Sequence, residues 1–215
     1  MKLLIVNPNI SESVSALIEA EARRVASPDT VLTVLTAPFG VAYIETRFEA
    51  MIGAYAVAQL AGEHIAGHDA LIVAAFGDPG VSALREVLDV PVVGMTEAAL
   101  ASATLLGRRF SIVAISRRIG LWYRETIEHA GLAARLASVR TLDEPLADVA
   151  TVQSDQAARL HELCLSAVND DAADVIILGG APLAGLARSL GGAIPVPLVD
   201  GVSSAVKHAE SLARL

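Results

Sequence analysis

A single cysteine among 215 residues excludes a disulfide framework, a C-x-x-C redox pair and any cysteine-rich metal site. Charged residues are sparse as well, at 19% against a usual ~25%, and aromatic residues make up only 4%. Sixteen basic residues stand against 24 acidic ones, for a net charge of −8, and no basic run occurs. A nucleic-acid partner is therefore not expected. No stretch approaches the ~20 apolar residues of a membrane helix, so no membrane partner is expected either. The apolar Leu3-Leu4-Ile5-Val6 stops at Asn7-Pro8-Asn9, short of the ~7–15 apolar residues of a signal peptide. The chain reads as soluble and cytoplasmic.

Cofactor signatures are missing too. Gly77-Asp78-Pro79-Gly80 and Gly179-Gly180-Ala181-Pro182 do not make G-x-G-x-x-G, and no G-x-x-x-x-G-K-[ST] exists. Neither NAD nor ATP is expected, nor any other cofactor. His64 and His68 are four apart, but Gly67 intervenes and no third ligand follows; His129, His161 and His208 fall on helices away from strand ends. No metal site is expected.

What the chain does have is a core. Hydrophobic residues reach 53%, above the usual ~45–50%, and Ala, Val and Leu dominate, a mixture suited to helices packed on a parallel sheet. Short β-rich runs alternate with longer helical ones. Strands are expected at Leu3–Val6, Val31–Leu35, Ala70–Ala75, Pro91–Val93, Phe110–Ile115, Leu136–Val139, Val175–Leu178 and Pro197–Val199. Helices are expected from Ser11 to Val25, Glu45 to Ile65, Ile119 to His129, Thr151 to Asn169, and after Asp200. Ser11, Asp78, Thr96, Ser116 and Asp200 are read as caps, with Pro79 at a first helical position.

The second half repeats the first. Leu71-Ile72-Val73 … Val90-Pro91-Val92-Val93-Gly94 matches Val175-Ile176-Ile177 … Val196-Pro197-Leu198-Val199-Asp200, with spacing that differs by one residue. The expected fold is α/β, with two pseudo-symmetric halves, each a mostly parallel sheet flanked by helices, and a ligand cleft between them. The halves are placed at 1–98 and 99–200, with the C-terminal helix, about 201–215, free to pack back on the first. Ligands of open α/β sheets bind beyond the carboxyl ends of the strands. Those ends carry Asn7, Asn9, Gly77, Asp78, Gly94, Thr96, Ser116, Gly179, Gly180 and Asp200, where free backbone N–H groups can hold a carboxylate, imide or phosphate. Each residue alone is equally an ordinary cap or turn.

Val6-Asn7-Pro8-Asn9, Phe76-Gly77-Asp78-Pro79-Gly80, Gly94-Met95-Thr96-Glu97-Ala98, Leu178-Gly179-Gly180-Ala181 and Asp200-Gly201-Val202 resemble, in order and over nearly the whole chain, the aspartate/glutamate/hydantoin racemase superfamily, above all its hydantoin and allantoin racemase branch. The resemblance implies cofactor-free chemistry by two thiols, one after each pseudo-symmetric strand: one thiolate takes the α-proton and the other thiol returns a proton to the opposite face. At those two positions this chain has Ala75 and Gly180. Cys164 shares helical spacing with Leu160, Leu163 and Ala167 and reads as core. Three explanations stand: an enzyme running thiol-free chemistry (a lyase, a decarboxylase or an oxygen-base isomerase), a non-catalytic binding relative, and a cysteine-depleted variant of a hydantoin racemase.

Candidate acids or bases are Tyr43 and Glu45, which follow the second strand's loop; the alternatives are an aromatic packing residue and a first-turn helix acid. The substrate, a small carboxylate, amide or cyclic ureide, is expected at Asn7, Asn9, Ala75, Phe76, Asp78, Glu97, Ser116, Gly180, Ala181 and Asp200. As caps, Asp78 and Asp200 are expected to have lowered pKa values, Glu97 to position its neighbours, and Arg117 or Arg118 to reach a bound carboxylate. Loss of two thiols is expected to enlarge the pocket. Apolar helices, together with the habit of the family, lead to an expected homo-oligomer.

Overall fold

A computed structural model describes residues 1–143 and 148–215. The first half contains β1 (Lys2–Asn7), α1 (Glu12–Val25), β2 (Val31–Thr36), α2 (Arg47–His64), β3 (Ala70–Val73), α3 (Val81–Arg85), β4 (Val92–Gly94) and α4 (Met95–Leu106). The second contains β5 (Phe110–Ala114), α5 (Gly120–His129), β6 (Leu136–Thr141), α6 (Val152–Asp155), α7 (Ala157–Asn169), β7 (Val175–Gly179), α8 (Leu186–Leu190), β8 (Leu198–Asp200) and α9 (Gly201–Leu212). The strands form two four-stranded sheets of the same order, β2-β1-β3-β4 and β6-β5-β7-β8, and every pairing is parallel. The fold is α/β, two parallel sheets flanked by helices.

Strands covered on both faces need no polar alternation, and β1, β3, β5 and β7 are buried throughout their central residues. The sheets are joined by α4 and α9, which pack on each other; α9 also lies against β3 and β4, and α4 against β7 and β8. One core therefore runs from Ile5 and Ile72 through Met95, Ala99, Val202 and Val206 to Ile112 and Ile177. At its centre the two helix starts meet, where a Cβ on Gly201 would lie 2.7 Å from Met95 Cγ.

Local signals hold at Ser11, whose hydroxyl accepts from Val14 N, at Ser116, whose hydroxyl accepts from Arg118 N, and at Asp200, whose carboxylate accepts from Val202 and Ser203 N. They fail at Asp78, Thr96, Glu45 and Gln156. Asp78 and Pro79 do not begin a helix: α3 starts at Val81 behind Gly80, at φ 84°, because the Asp78 carboxylate is taken by α4. Thr96 is not a cap but lies in the first turn of α4, its hydroxyl accepting from Gly77 N at 2.6 Å. Glu45 precedes α2, which Thr46 caps in a reciprocal pair with Glu49. The single helix expected over Thr151–Asn169 breaks at Gln156, where Gln153 Nε2 reaches across to the carbonyls of Pro182 and Ala184, each at 2.9 Å.

Candidate active site

The carboxyl ends of the two sheets converge on a cavity of about 20 Å³ lined by Asn9, Tyr43, Ile44, Ala75, Phe76, Tyr123, Gly180, Ala181 and Pro182. Ala75 and Gly180 occupy equivalent places. Each stands five residues before a glycine at φ 84°, Gly80 or Gly185, which begins α3 or α8. Gly180 has φ 127°, a backbone state that disfavours any side chain.

Donors line this space. The N–H of Gly77 goes to Thr96 Oγ1, and that of Asp78 to Ala75 O. The N–H groups of Ala75, Phe76, Gly180 and Ala181 have no backbone acceptor among the described residues. The Tyr43 hydroxyl is buried without a partner among the described residues, 3.7 Å from where a Cβ of Gly180 would sit. Asn9 uses its Oδ1 to accept from Asn7 Nδ2 and Ser11 N, which leaves its amide N–H groups as its contribution to the cavity.

Acceptors do not. Burial pushes the Tyr43 phenol far above its usual pKa, and the Glu45 charge adds to the shift. Burial does the same to Tyr123, with Tyr43 and Asp78 adding to it. Both phenols are neutral donors at pH 7. Among the described residues, no carboxylate, imidazole or thiol lines the cavity.

Six of the residues expected from the sequence meet here: Asn9, Tyr43, Ala75, Phe76, Gly180 and Ala181. The others lie behind them. Asn7 Nδ2 donates to Asn9 Oδ1, Ser11 O and Ser15 Oγ, which holds the first turn. Glu45 accepts from Ser116 Oγ and from Arg118 Nη1 at 2.9 Å, tying the two halves together across the site. Ser116 and Arg118 are thus spent on Glu45. Asp78 accepts from Thr96 N at 2.7 Å and Glu97 N at 2.9 Å, and Glu97 accepts from Gly94 N and Arg85. Asp200 also accepts from Gly185 N at 2.7 Å. The lowered pKa values expected of the two aspartates are reversed. Burial raises Asp78 to about 7 against the pull of the Thr96 and Glu97 N–H groups, and raises Asp200 against those of Ser203, Gly185 and Val202.

Three lining residues escaped the sequence reading: Ile44, Pro182 and Tyr123. Tyr123 belongs to the second half but packs, tilted, against Phe76 of the first, with ring centroids 4.6 Å apart. Its neighbour Trp122 covers Gly77, where a Cβ would lie 2.5 Å from the indole. A second aromatic beside the Ser116 turn was the available signal. Tyr43 stands beside Gly180, its hydroxyl 3.7 Å from where a Cβ would sit, and the cavity of about 20 Å³ holds about one water. Cys164 is fully buried in the second core, its thiol pushed up to about 12 by burial. Among the described residues no cluster of His, Cys, Asp and Glu could hold a metal, and no helix is long and apolar enough to cross a membrane.

The profile of the family described as Asp/Glu/Hydantoin racemase matches residues 3–209. The hydantoin racemase of Paenarthrobacter aurescens is 34% identical over 220 residues, covering 100% of this chain and 92% of that protein. The crystal structure of the allantoin racemase of Pseudomonas fluorescens superposes with a TM-score of 0.92 at 37% identity, over 100% of this chain and 91% of that one. That of Klebsiella pneumoniae superposes at 0.94 and 34%, over 100% and 88%. By sequence over its whole length and by the arrangement of its two sheets, the chain belongs to the Asp/Glu/hydantoin racemase family.

Proposed function

We propose that the cleft binds a small carboxylate, amide or cyclic ureide by its carbonyl oxygens and acts by protonating a stabilised carbanion rather than by two-thiol racemisation. One observation carries this reading: the cavity has donors from both halves and no proton acceptor at either thiol position. Racemisation needs a base to remove the α-proton. Loss of a carboxylate does not. The electrons of the broken C–C bond pass to the α-carbon and the remaining carboxylate as CO2 departs. Backbone N–H groups at Ala75–Phe76 and Gly180–Ala181 suit the resulting enediolate. Tyr43 Oη–H gives its proton to the α-carbon and regains one from water. The names of the relatives, hydantoin and allantoin racemase, favour a ureide-sized ligand.

The rival reading, a relative that binds without turnover, draws on the small cavity that Tyr43 leaves. Proton NMR in D2O on an α-substituted malonate, allantoin and one enantiomer of a substituted hydantoin separates them. Loss of carboxylate with deuterium at the α-carbon is the expected result. Exchange on the hydantoin or allantoin alone overturns it in favour of an oxygen-base isomerase. Silence on all three, with a ligand-dependent rise in melting temperature, overturns it in favour of binding.

A further inference from the structure

A cleft of about 460 Å³ opens between α1, α4, α8 and α9 and shares no lining residue with the central cavity. Its size falls within the ~300–1,000 Å³ of small-molecule sites. Three cations reach it from three helices, Arg24, Arg188 and Lys207, in a chain whose net charge is −8. Its two acids are already satisfied by donors of the fold. Asp200 accepts from the N–H groups of Val202, Ser203 and Gly185. Glu21, which is buried, accepts from Arg24 Nε at 2.8 Å, Arg24 Nη2 at 2.6 Å and the Ser203 hydroxyl. Burial raises the Glu21 pKa, but these bonds and the Arg24 and Arg188 charges bring it below its ordinary value.

The cations are not used up in return. Arg24 keeps the N–H groups of Nη1, and Lys207, which donates to Glu210 at 3.0 Å, keeps two further N–H groups. The Arg188 guanidinium, on α8, has no partner among the described residues. Leu106, Ala187 and Leu198 supply apolar surface beside these groups. We infer that the cleft binds a small organic dicarboxylate, with one carboxylate on Arg188 and the other on Arg24 Nη1 and Lys207 Nζ. Its carbon chain lies against Leu106, Ala187 and Leu198. Guanidinium groups suit carboxylates because two parallel N–H groups meet two oxygens. Arg24 belongs to the first half and Arg188 to the second, so the ligand bridges the halves. Gly185 N, bonded to Asp200 at 2.7 Å, joins the cleft to the turn whose start, Gly180, lines the central cavity.

Calorimetric titration of the full chain with succinate and with acetate tests this. Succinate is expected to bind more tightly than acetate, because only the longer anion has a carboxylate for each end of the cleft. Arg188→Gln is expected to weaken succinate about tenfold, the loss of one charge-assisted pair. Arg188 is exposed and lies outside the central cavity, so that loss locates the site. Lys207→Gln, on another helix, is expected to weaken succinate as well. Arg124→Gln, at an exposed position of α5, is expected to bind as the parent does. The inference is overturned by a parent that does not bind succinate, or binds it no more tightly than acetate. Binding unchanged in both Arg188→Gln and Lys207→Gln overturns it too, as does an equal loss in Arg124→Gln, which would mark diffuse surface charge.

Discussion

The carboxyl group of Asp78 occupies the place where a side chain of Gly94 would begin: a Cβ there would lie 2.3 Å from Asp78 Cγ. The second half puts its carboxylate on the other side of this relationship. Asp200, at the end of β8 as Gly94 is at the end of β4, carries the group itself. Both halves thus place a buried carboxylate on the first N–H groups of a central helix, supplied from different points of the repeat.

Gly94→Ala is expected to destabilise the fold by about 1–3 kcal/mol, the usual cost of overpacking. Adding Asp78→Gly removes the collision, so the double variant loses less than the two single losses added together. Urea denaturation of the four proteins reads the coupling; losses that simply add would show that the two sites are independent.

Stability should respond to pH in two separate windows. Asp78 is raised from 3.8 to about 7, so it favours the fold at low pH and that contribution is lost as pH rises toward 7. Glu210 is held at about 2 by Thr30, Ser27 and Lys207 in spite of burial, so its contribution is present above about 4.5 and is lost as pH falls toward 2. Melting temperature against pH should flatten between pH 4 and 7 in Asp78→Asn and below pH 4.5 in Glu210→Gln. The second variant should lose roughly 2–3 kcal/mol near neutrality, because four donors, Ser27 N, Ser27 Oγ, Thr30 Oγ1 and Lys207 Nζ, are left facing an uncharged group. Identical profiles for variants and parent would refute both assignments.

Tyr43→Phe is expected to be as stable as the parent or up to about 1 kcal/mol more stable, since it deletes a buried hydroxyl that has no partner. Turnover should fall by roughly 10²–10⁴, the range for loss of a positioned proton donor. A variant that turns over normally would remove Tyr43 from the chemistry.

Returning thiols should be asymmetric in cost. Ala75→Cys is expected to fold with little loss, whereas Gly180→Cys should lose about 1–3 kcal/mol for a side chain at φ 127°. The double variant should exchange the α-proton of a hydantoin for deuterium. A folded double variant without exchange would mean that Ala75 and Gly180 do not face one substrate carbon.

The sequence by itself determined the elements and their duplication. Buried parallel strands are continuous apolar runs, and caps such as Ser11 and Asp200 bond only two or three residues ahead, so the information lies within one short window. It also carried Asn9 and Gly180, because strand ends of parallel sheets point to one place, while Tyr43, Ala75, Phe76 and Ala181 came from the resemblance to the family. The tertiary structure alone decided what those neighbourhoods do. Asp78 serves a helix 18 residues away, and Glu45 meets Ser116 across 71. Tyr123 enters the cavity from the other half, Tyr43 stands beside Gly180, and burial reverses the pKa direction that capping alone implies. Each of these depends on which groups long-range packing brings within a few ångströms, and on how much water that packing leaves.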